Sequence, residues 1–192
     1  VVVVRVVAGR LGGRSLRAVP GPATRPTSDR VREALFAALG DRVEGARVLD
    51  LFAGTGALAV EALSRGAERA VLVEQAAPAV AVIRANLAAL GLTGVATVRR
   101  TRAETYLRTQ RDGPFDLVFL DPPYAVGVGL VTGLLARLAR GALAPGATVV
   151  VEAAARAEPP VWPPGLDPDA PRRYGDTALH LAVWTPPVAG PG

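Results

Sequence analysis

The sequence predicts an α/β fold built on a doubly wound, mostly parallel sheet, and three observations carry that prediction. Short all-apolar segments alternate with amphipathic ones from residue 46 to residue 153. Glycines close the amphipathic segments, as Gly66 and Gly91 do. The strand segments are apolar throughout rather than on alternate residues, which is the pattern of strands covered on both faces. A chain of 192 residues is long enough for one domain with a sizeable core.

In chain order, "VVVVRVVAG" (1–9) and "RSLRAVP" (14–20) read as two strands joined by the glycine-rich turn "RLGG". "PGPATRPT" (20–27) is an extended, proline-stiffened linker, and Thr27 or Ser28 caps a helix with an apolar face of Val31, Ala34, Leu35, Ala38 and Leu39. Strand and helix then alternate: "RVLDLFAG", "ALAVEALSRG", "AVLVEQ", "PAVAVIRANLAALG", "ATVRR", "AETYLRT", "FDLVFLDPPY", "GLVTGLLARLARG" and "GATVVVEA". A proline-rich loop (156–171) follows, and "RRY" and "TALHLAVW" flank the turn signal "GD", which predicts a closing antiparallel hairpin. The expected organisation is a basic hairpin and linker (1–26), one α/β domain (27–185) and a tail (186–192) with too little to bury to be ordered.

Composition removes several chemistries. There is no Cys, hence no disulfide, thiolate metal site or cysteine nucleophile, and one His, His180, cannot build an imidazole metal site. No apolar run reaches the ~18 residues of a membrane span. A soluble, cytoplasmic, metal-free monomer is the expectation. Charge is concentrated: residues 1–32 hold seven Arg against one acid, while the rest of the chain is close to neutral. Arg5, Arg10, Arg14, Arg17, Arg25 and Arg30 make a candidate phosphate-binding surface. The bland alternative is a solvated hairpin whose arginines follow a codon bias, since Lys is absent altogether. If the arm is a separate appendage, its removal should weaken nucleic-acid binding and leave the sheet folded.

"LDLFAGTGALAVEA" (49–62) is a strand, a Gly54-x-Gly56 turn and a helix. Glycines there let the backbone approach a ligand at a helix N-terminus. Glu74, twenty residues past Gly54 at the end of the next strand, is placed to accept hydrogen bonds from ribose hydroxyls. Asp50 would repel a pyrophosphate but suits a ligand with an ammonium group and a sulfonium, which points to S-adenosylmethionine.

"FLDPPYAV" (119–126) puts a rigid corner after an apolar strand. If this strand neighbours the one ending at Asp50, the corner faces the cofactor. The Asp121 carboxylate and the Pro122 carbonyl could then accept both hydrogens of an exocyclic amine, with Pro123 fixing the backbone. Tyr124 could stack on the base that carries the amine.

Together with "VEQ", the glycine turn, the corner and "GRLGGRSLRAVPGPATRPTSDRVREALF", the chain resembles the bacterial small-subunit ribosomal RNA guanine-N2 methyltransferases known as the methyltransferase D family. The resemblance runs from about Arg5 to Trp184, and "RPTSDRVREALF" is its most specific part. It implies a seven-stranded class I methyltransferase sheet, Rossmann-like, carrying an N-terminal hairpin. It implies methylation of one guanine of 16S ribosomal RNA, free or in an assembling subunit, on the exocyclic amine. It also implies that Asp50, Phe52, Ala53, Gly54 and Gly56 hold the methionine part, that Glu74 holds the ribose, and that Ala103 lies by the adenine. Arg25 and Thr27 would close over the cofactor. Related enzymes often have an acid before that alanine; here Arg102 stands there, so the adenine amine is expected to meet backbone.

The residues leave alternatives open: methylation of adenine in a nucleic acid, of a protein glutamine, or a non-catalytic RNA-binding factor on the same fold. A nicotinamide-dependent enzyme is a more distant one. His180, Trp162, Trp184 and Tyr106 read as packing residues, and Asn86, the one Asn in the chain, receives no role.

Overall fold

Val48 and Leu49 of strand β3 (Arg47–Asp50) are wholly buried, as are Leu72 and Val73 of β4 (Arg69–Glu74) and Leu117–Phe119 of β6 (Phe115–Leu120). Strands apolar on both faces must be covered twice, and that demand builds the molecule. A computed structural model describes residues 4–19, 28–109, 112–123 and 127–187. The sheet follows the order β5 (Ala96–Arg100), β4, β3, β6, β7 (Leu143–Ala154), β10 (Thr177–Trp184), β8 (Leu166–Pro168). The β5–β4–β3–β6–β7 run is parallel, and β10 is antiparallel to β7.

The expected closing hairpin is present: β9 (Arg172–Tyr174) pairs antiparallel with β10. The proline-rich stretch before it is not wholly loop, because Leu166–Pro168 pairs with Pro168 opposite Ala182 at the other end of β10. The path through the sheet therefore has seven strands, and β9 adds an eighth off it. Pro168 fits there because an edge position asks for no ladder donor. The tail expected beyond residue 186 falls largely on 188–192, outside the described residues.

One face of the sheet is covered by α1 (Asp29–Leu39), α2 (Ala57–Ser64) and α3 (Ala77–Ala89), the other by α4 (Ala103–Thr109) and α5 (Val128–Leu138). Helix α1 starts where Ser28 Oγ accepts the Val31 N–H (3.3 Å) and stops at Gly40, whose φ of +54° only glycine adopts cheaply. Its buried face holds Val31, Leu35, Phe36 and Leu39, with Phe36 tilted against Phe119 of β6 at 5.9 Å. The expected Ala34 and Ala38 are only half-buried.

The N-terminal hairpin is shorter and more firmly seated than the sequence suggests. Among the described residues only β1 (Val4–Arg5) and β2 (Ser15–Leu16) pair, joined through a 3₁₀ turn at Gly9–Leu11. Val4, Val6 and Leu16 enter the same core as α1 and α2. Buried polar groups of the body then grip its backbone. The Glu61 carboxylate accepts the N–H of Val7 (2.7 Å) and of Ala8 (3.0 Å) while pairing with Arg65 (2.7 Å). Ser64 Oγ accepts from Leu11 N–H (2.9 Å) and donates to the Ala8 carbonyl (2.5 Å). Gly9 lies so close to Ser64 that a Cβ there would sit 2.1 Å from the Ser64 carbonyl oxygen. Arg32 is buried rather than part of the basic surface: it donates to the Arg5 carbonyl and pairs with Asp29 at 2.7 Å.

These contacts argue against a removable arm, because it completes the core and satisfies buried groups of α2. Deleting residues 1–19 should strip the Glu61 carboxylate of two donors and expose the apolar faces of α1 and α2. A loss of at least about 3 kcal/mol is expected from the lost burial of Val4, Val6 and Leu16 alone. Urea unfolding of the truncated chain measures it, and unchanged stability would contradict the docking.

Candidate active site at the carboxyl ends of β3, β4 and β6

The corner after β6 can face the glycine turn only if the two strands are neighbours, and β3 pairs directly with β6, Asp50 opposite Phe119. Leu51 N–H continues the contact to the Phe119 carbonyl (3.1 Å), so the segments after both strands leave the sheet side by side. Asp50 closes β3, Glu74 closes β4, and Asp121 follows β6 by one residue. Three acids from segments far apart in sequence thus share one edge of the sheet. This is the crevice at the carboxyl ends of parallel strands, next to the point where the winding reverses between β3 and β6.

Asp50 is 1% exposed, and neither carboxylate oxygen has a hydrogen-bond partner among the described residues. The amides of Phe52 and Ala59 face it and stabilise its charge in part, without closing hydrogen bonds. Burial, then the neighbouring Asp121 carboxylate, push its pKa up to about 7. An orphaned carboxylate of this kind fits a cationic ligand.

The turn above it is built by glycine. Gly54 has φ +54° and Gly56 φ +82°, and Gly56 opens α2 from the left-handed region. A Cβ on Gly56 would press on Leu72 at 3.2 Å. Gly56 N–H closes the turn onto the Ala53 carbonyl (2.6 Å), and Ala53 N–H bonds Val73 of β4 (3.0 Å). Phe52 and Gly54 are half-buried, Ala53 buried.

Glu74 does more than end a strand. One oxygen accepts the Gly54 N–H (3.1 Å) and the other the Ala76 N–H (2.8 Å). The carboxylate therefore braces the glycine turn from β4, with a further lone pair on each oxygen still available to a ligand. Ala103 is buried as the first residue of α4, and the preceding Arg102 is exposed. Pro122 is half-buried and Pro123 exposed; behind them a cavity of about 110 Å³ runs between Val128, Val131, Val151 and Glu158.

Of the other expected residues, Arg5, Arg10, Arg14, Arg17 and Arg30 are all exposed. Tyr124, Arg25 and Thr27 lie outside the described residues. His180 is nearly buried in β10, and burial followed by the Arg173 charge lowers its pKa, which suits a neutral strand residue. Among the described residues no group of three or more His, Cys, Asp or Glu is placed to hold a metal ion, and no helix is long and apolar enough to cross a membrane.

Sequence reasoning passed over two residues. Glu152 lies one residue beyond the Leu120–Val151 pair, so β7 brings a fourth carboxylate level with Asp121. Its signal was an acid in the otherwise apolar run "VVVEA". Asn86 is 2% exposed on α3 and spends its amide on the Arg17 and Thr55 backbone. Its signal was a polar residue on the buried face of a helix beside Ile83 and Leu87.

This sheet order, with a glycine turn after its central strand and an acid at the next strand's end, defines the class I methyltransferase fold. The chain belongs to the family described as Conserved hypothetical protein 95, whose family model matches residues 4–183. The Ribosomal RNA small subunit methyltransferase D of Escherichia coli K12 is 42% identical over 125 residues, 65% of this chain and 62% of that protein. The namesake from Buchnera aphidicola of Acyrthosiphon pisum is 35% identical over 64% of each chain. Such alignments span less than two thirds of these relatives' length. The solved structure of yhhF from Escherichia coli is similar over 95% of this chain and 98% of its own, at 35% identity and a TM-score of 0.82. An RNA methyltransferase from Salinibacter ruber, solved with S-adenosyl-L-homocysteine, shares the fold at 20% identity and a TM-score of 0.62, over 87% of this chain and 98% of its own.

Asp50 makes the ligand-free protein sensitive to pH with a definite sign. Its folded pKa of about 7 exceeds the ordinary 3.8, so the folded state holds the proton more tightly between those values. Stability should fall as pH rises through that window, by up to about 4 kcal/mol in all. Asp50→Asn should remove that slope and leave the protein more stable than the parent above pH 7. Urea unfolding at pH 5 and pH 8 checks it; parallel pH profiles in the two proteins would refute the assignment.

Proposed function

We propose that the protein is an S-adenosylmethionine-dependent methyltransferase that modifies the exocyclic N2 of a guanine in 16S ribosomal RNA of the small subunit. The observation that carries this reading is the adjacency of β3 and β6, which sets the orphaned Asp50 carboxylate beside the Asp121–Pro122 corner. The names of the relatives supply the RNA class. The choice of guanine N2 rests on those names and on the motif resemblance, and soluble cytoplasmic action fits an RNA substrate.

In this reading Asp50 faces the positive charge of the cofactor, with Phe52, Ala53, Gly54 and Gly56 enclosing its methionine part. Glu74 offers its remaining lone pairs to the ribose hydroxyls, and the buried Ala103 backs the adenine. Arg25 and Thr27 are assigned to closing the cofactor in. Bound there, S-adenosylmethionine supplies an electrophilic methyl group. A guanine amine is a weak nucleophile because its lone pair is delocalised into the ring. The Asp121 carboxylate and the Pro122 carbonyl accept its two hydrogens and localise that pair. Pro122 and Pro123 keep the acceptors fixed, and Tyr124 stacks on the base. The amine would take the methyl group that the cofactor supplies, and its surplus proton would leave to Asp121 or to water. Positioning and fixed charge supply the acceleration; no covalent enzyme intermediate is required. Arg5, Arg10, Arg14, Arg17, Arg25 and Arg30 hold the phosphate backbone, so residues 1–26 serve as the substrate arm of a catalytic body at 27–185, acting as a monomer without a metal ion.

The decisive experiment incubates the protein with S-adenosylmethionine and ribosomal RNA or small-subunit particles from cells lacking it, followed by nucleoside analysis. N2-methylguanosine is expected; methyladenosine, or methyl transfer to protein alone, would replace this reading, and no transfer at all would sink it. Asp121→Ala should lower kcat by roughly 10²–10³-fold, the scale for losing one transition-state hydrogen-bonding group.

The arm gives a separate expectation. Replacing Arg5, Arg10 and Arg14 with Ala should weaken RNA binding and reduce the slope of log K against log salt by roughly two to three. Filter binding across a salt series measures both, and an unchanged slope would return these arginines to ordinary surface.

A further inference from the structure

Asn86 stands between the two halves of the proposed site. Its Oδ1 accepts the Arg17 N–H (2.8 Å), and its Nδ2 donates to the Arg17 carbonyl (3.2 Å) and to the Thr55 carbonyl (3.0 Å). One side chain thus pairs with the arm's backbone as a strand would, and reaches the residue between Gly54 and Gly56. It is 2% exposed, so water is a poor substitute for any of these partners.

The bond to Thr55 bears directly on the turn. The Thr55–Gly56 peptide carries the carbonyl held by Asn86 at one end. At the other it carries the Gly56 N–H, which is held by the Ala53 carbonyl (2.6 Å). Both ends of that peptide plane are therefore clamped. Its orientation sets the left-handed Gly56 that opens α2, while Glu74 fixes Gly54 from the opposite side. Removing the Asn86 amide frees this plane to rotate, and it equally frees Arg17, whose side chain is exposed on the arm.

We infer that Asn86 is a positioning residue that couples the arginine-bearing arm to the cofactor turn, so that RNA held by the arm tightens cofactor binding and cofactor tightens RNA binding. The inference rests on the function proposed above. It asks more than that function does, since an enzyme could bind both ligands independently. Coupling through one amide is reciprocal by thermodynamic necessity, which gives it a sharp test.

The test measures the Kd of S-adenosyl-L-homocysteine by calorimetry with and without saturating 16S ribosomal RNA. The parent protein is expected to bind the cofactor product at least about fivefold more tightly with RNA present, the lower end of ordinary coupling. Asn86→Leu, which fills the volume and offers no hydrogen bond, should bring that ratio to within about twofold of one. Arg17→Pro deletes the N–H that Asn86 accepts, at an exposed position, and should do the same. Arg17→Ala loses only the charge, and should weaken RNA binding with the ratio kept. Leu138→Ala, a wholly buried residue of α5 on the far face, should lower Tm and keep the ratio, which separates coupling from general destabilisation. A parent ratio of one, or a ratio preserved in Arg17→Pro, would overturn the inference and leave the proposed activity standing. A parent protein that binds neither ligand would overturn the activity itself, and this inference with it.

Discussion

The arrangement depends on a carboxylate kept where it is least comfortable. Parallel pairing of β3 with β6 places Asp50 inside the sheet's edge and Asp121 beside it, and both desolvation and like charge oppose ionisation of Asp50. No hydrogen bond from the described residues relieves it. A fold that retains such a group carries a local instability that an apolar residue would not impose. The chemistry that offsets it is a positive charge brought from outside. A cation bound beside Asp50 would lower its pKa again and release a proton.

Around that charge the structure spends its strong hydrogen bonds on the backbone. Glu74 holds Gly54 and Ala76, Asn86 holds Thr55, and Gly56 folds back on Ala53. Glycine supplies the left-handed angles but also the freedom to leave them. A turn with two such residues would sample other shapes without external ties, and the ties come from β4 on one side and α3 on the other. The site is preorganised by residues that need not touch the reacting atoms.

Much of this was legible in the sequence, for reasons that differ by residue. The alternating elements were readable because the buried middles of the parallel strands are apolar runs, and the turn because two glycines precede a helix. The corner after β6 announced itself through consecutive prolines. The adjacency of β3 and β6 was not written in any local pattern; it follows from the winding of the sheet and entered as a condition. The strand at Leu166–Pro168 was hidden because proline argues against pairing except at an edge, and local sequence does not say which positions are edges. Arg32 looked like one more cation of a basic cluster. Only the packing of β1 against α1 reveals that its guanidinium is enclosed. Asn86 and Glu61 were silent for the same reason: their backbone partners lie 31 to 69 residues away.

The arm shows what these silent residues accomplish together. An arm held by apolar contacts alone could slide or tilt, since hydrophobic contact has no preferred direction. Hydrogen bonds from Glu61, Ser64 and Asn86 to its backbone fix register as well as proximity, and they ask nothing of the arm's own side chains. Arg5, Arg10, Arg14 and Arg17 remain exposed on it. Because the anchors sit on α2 and α3, and Asn86 also holds Thr55, the arm is indexed to the glycine turn and not merely near it. Deep burial of those anchors makes the arm inseparable from the core.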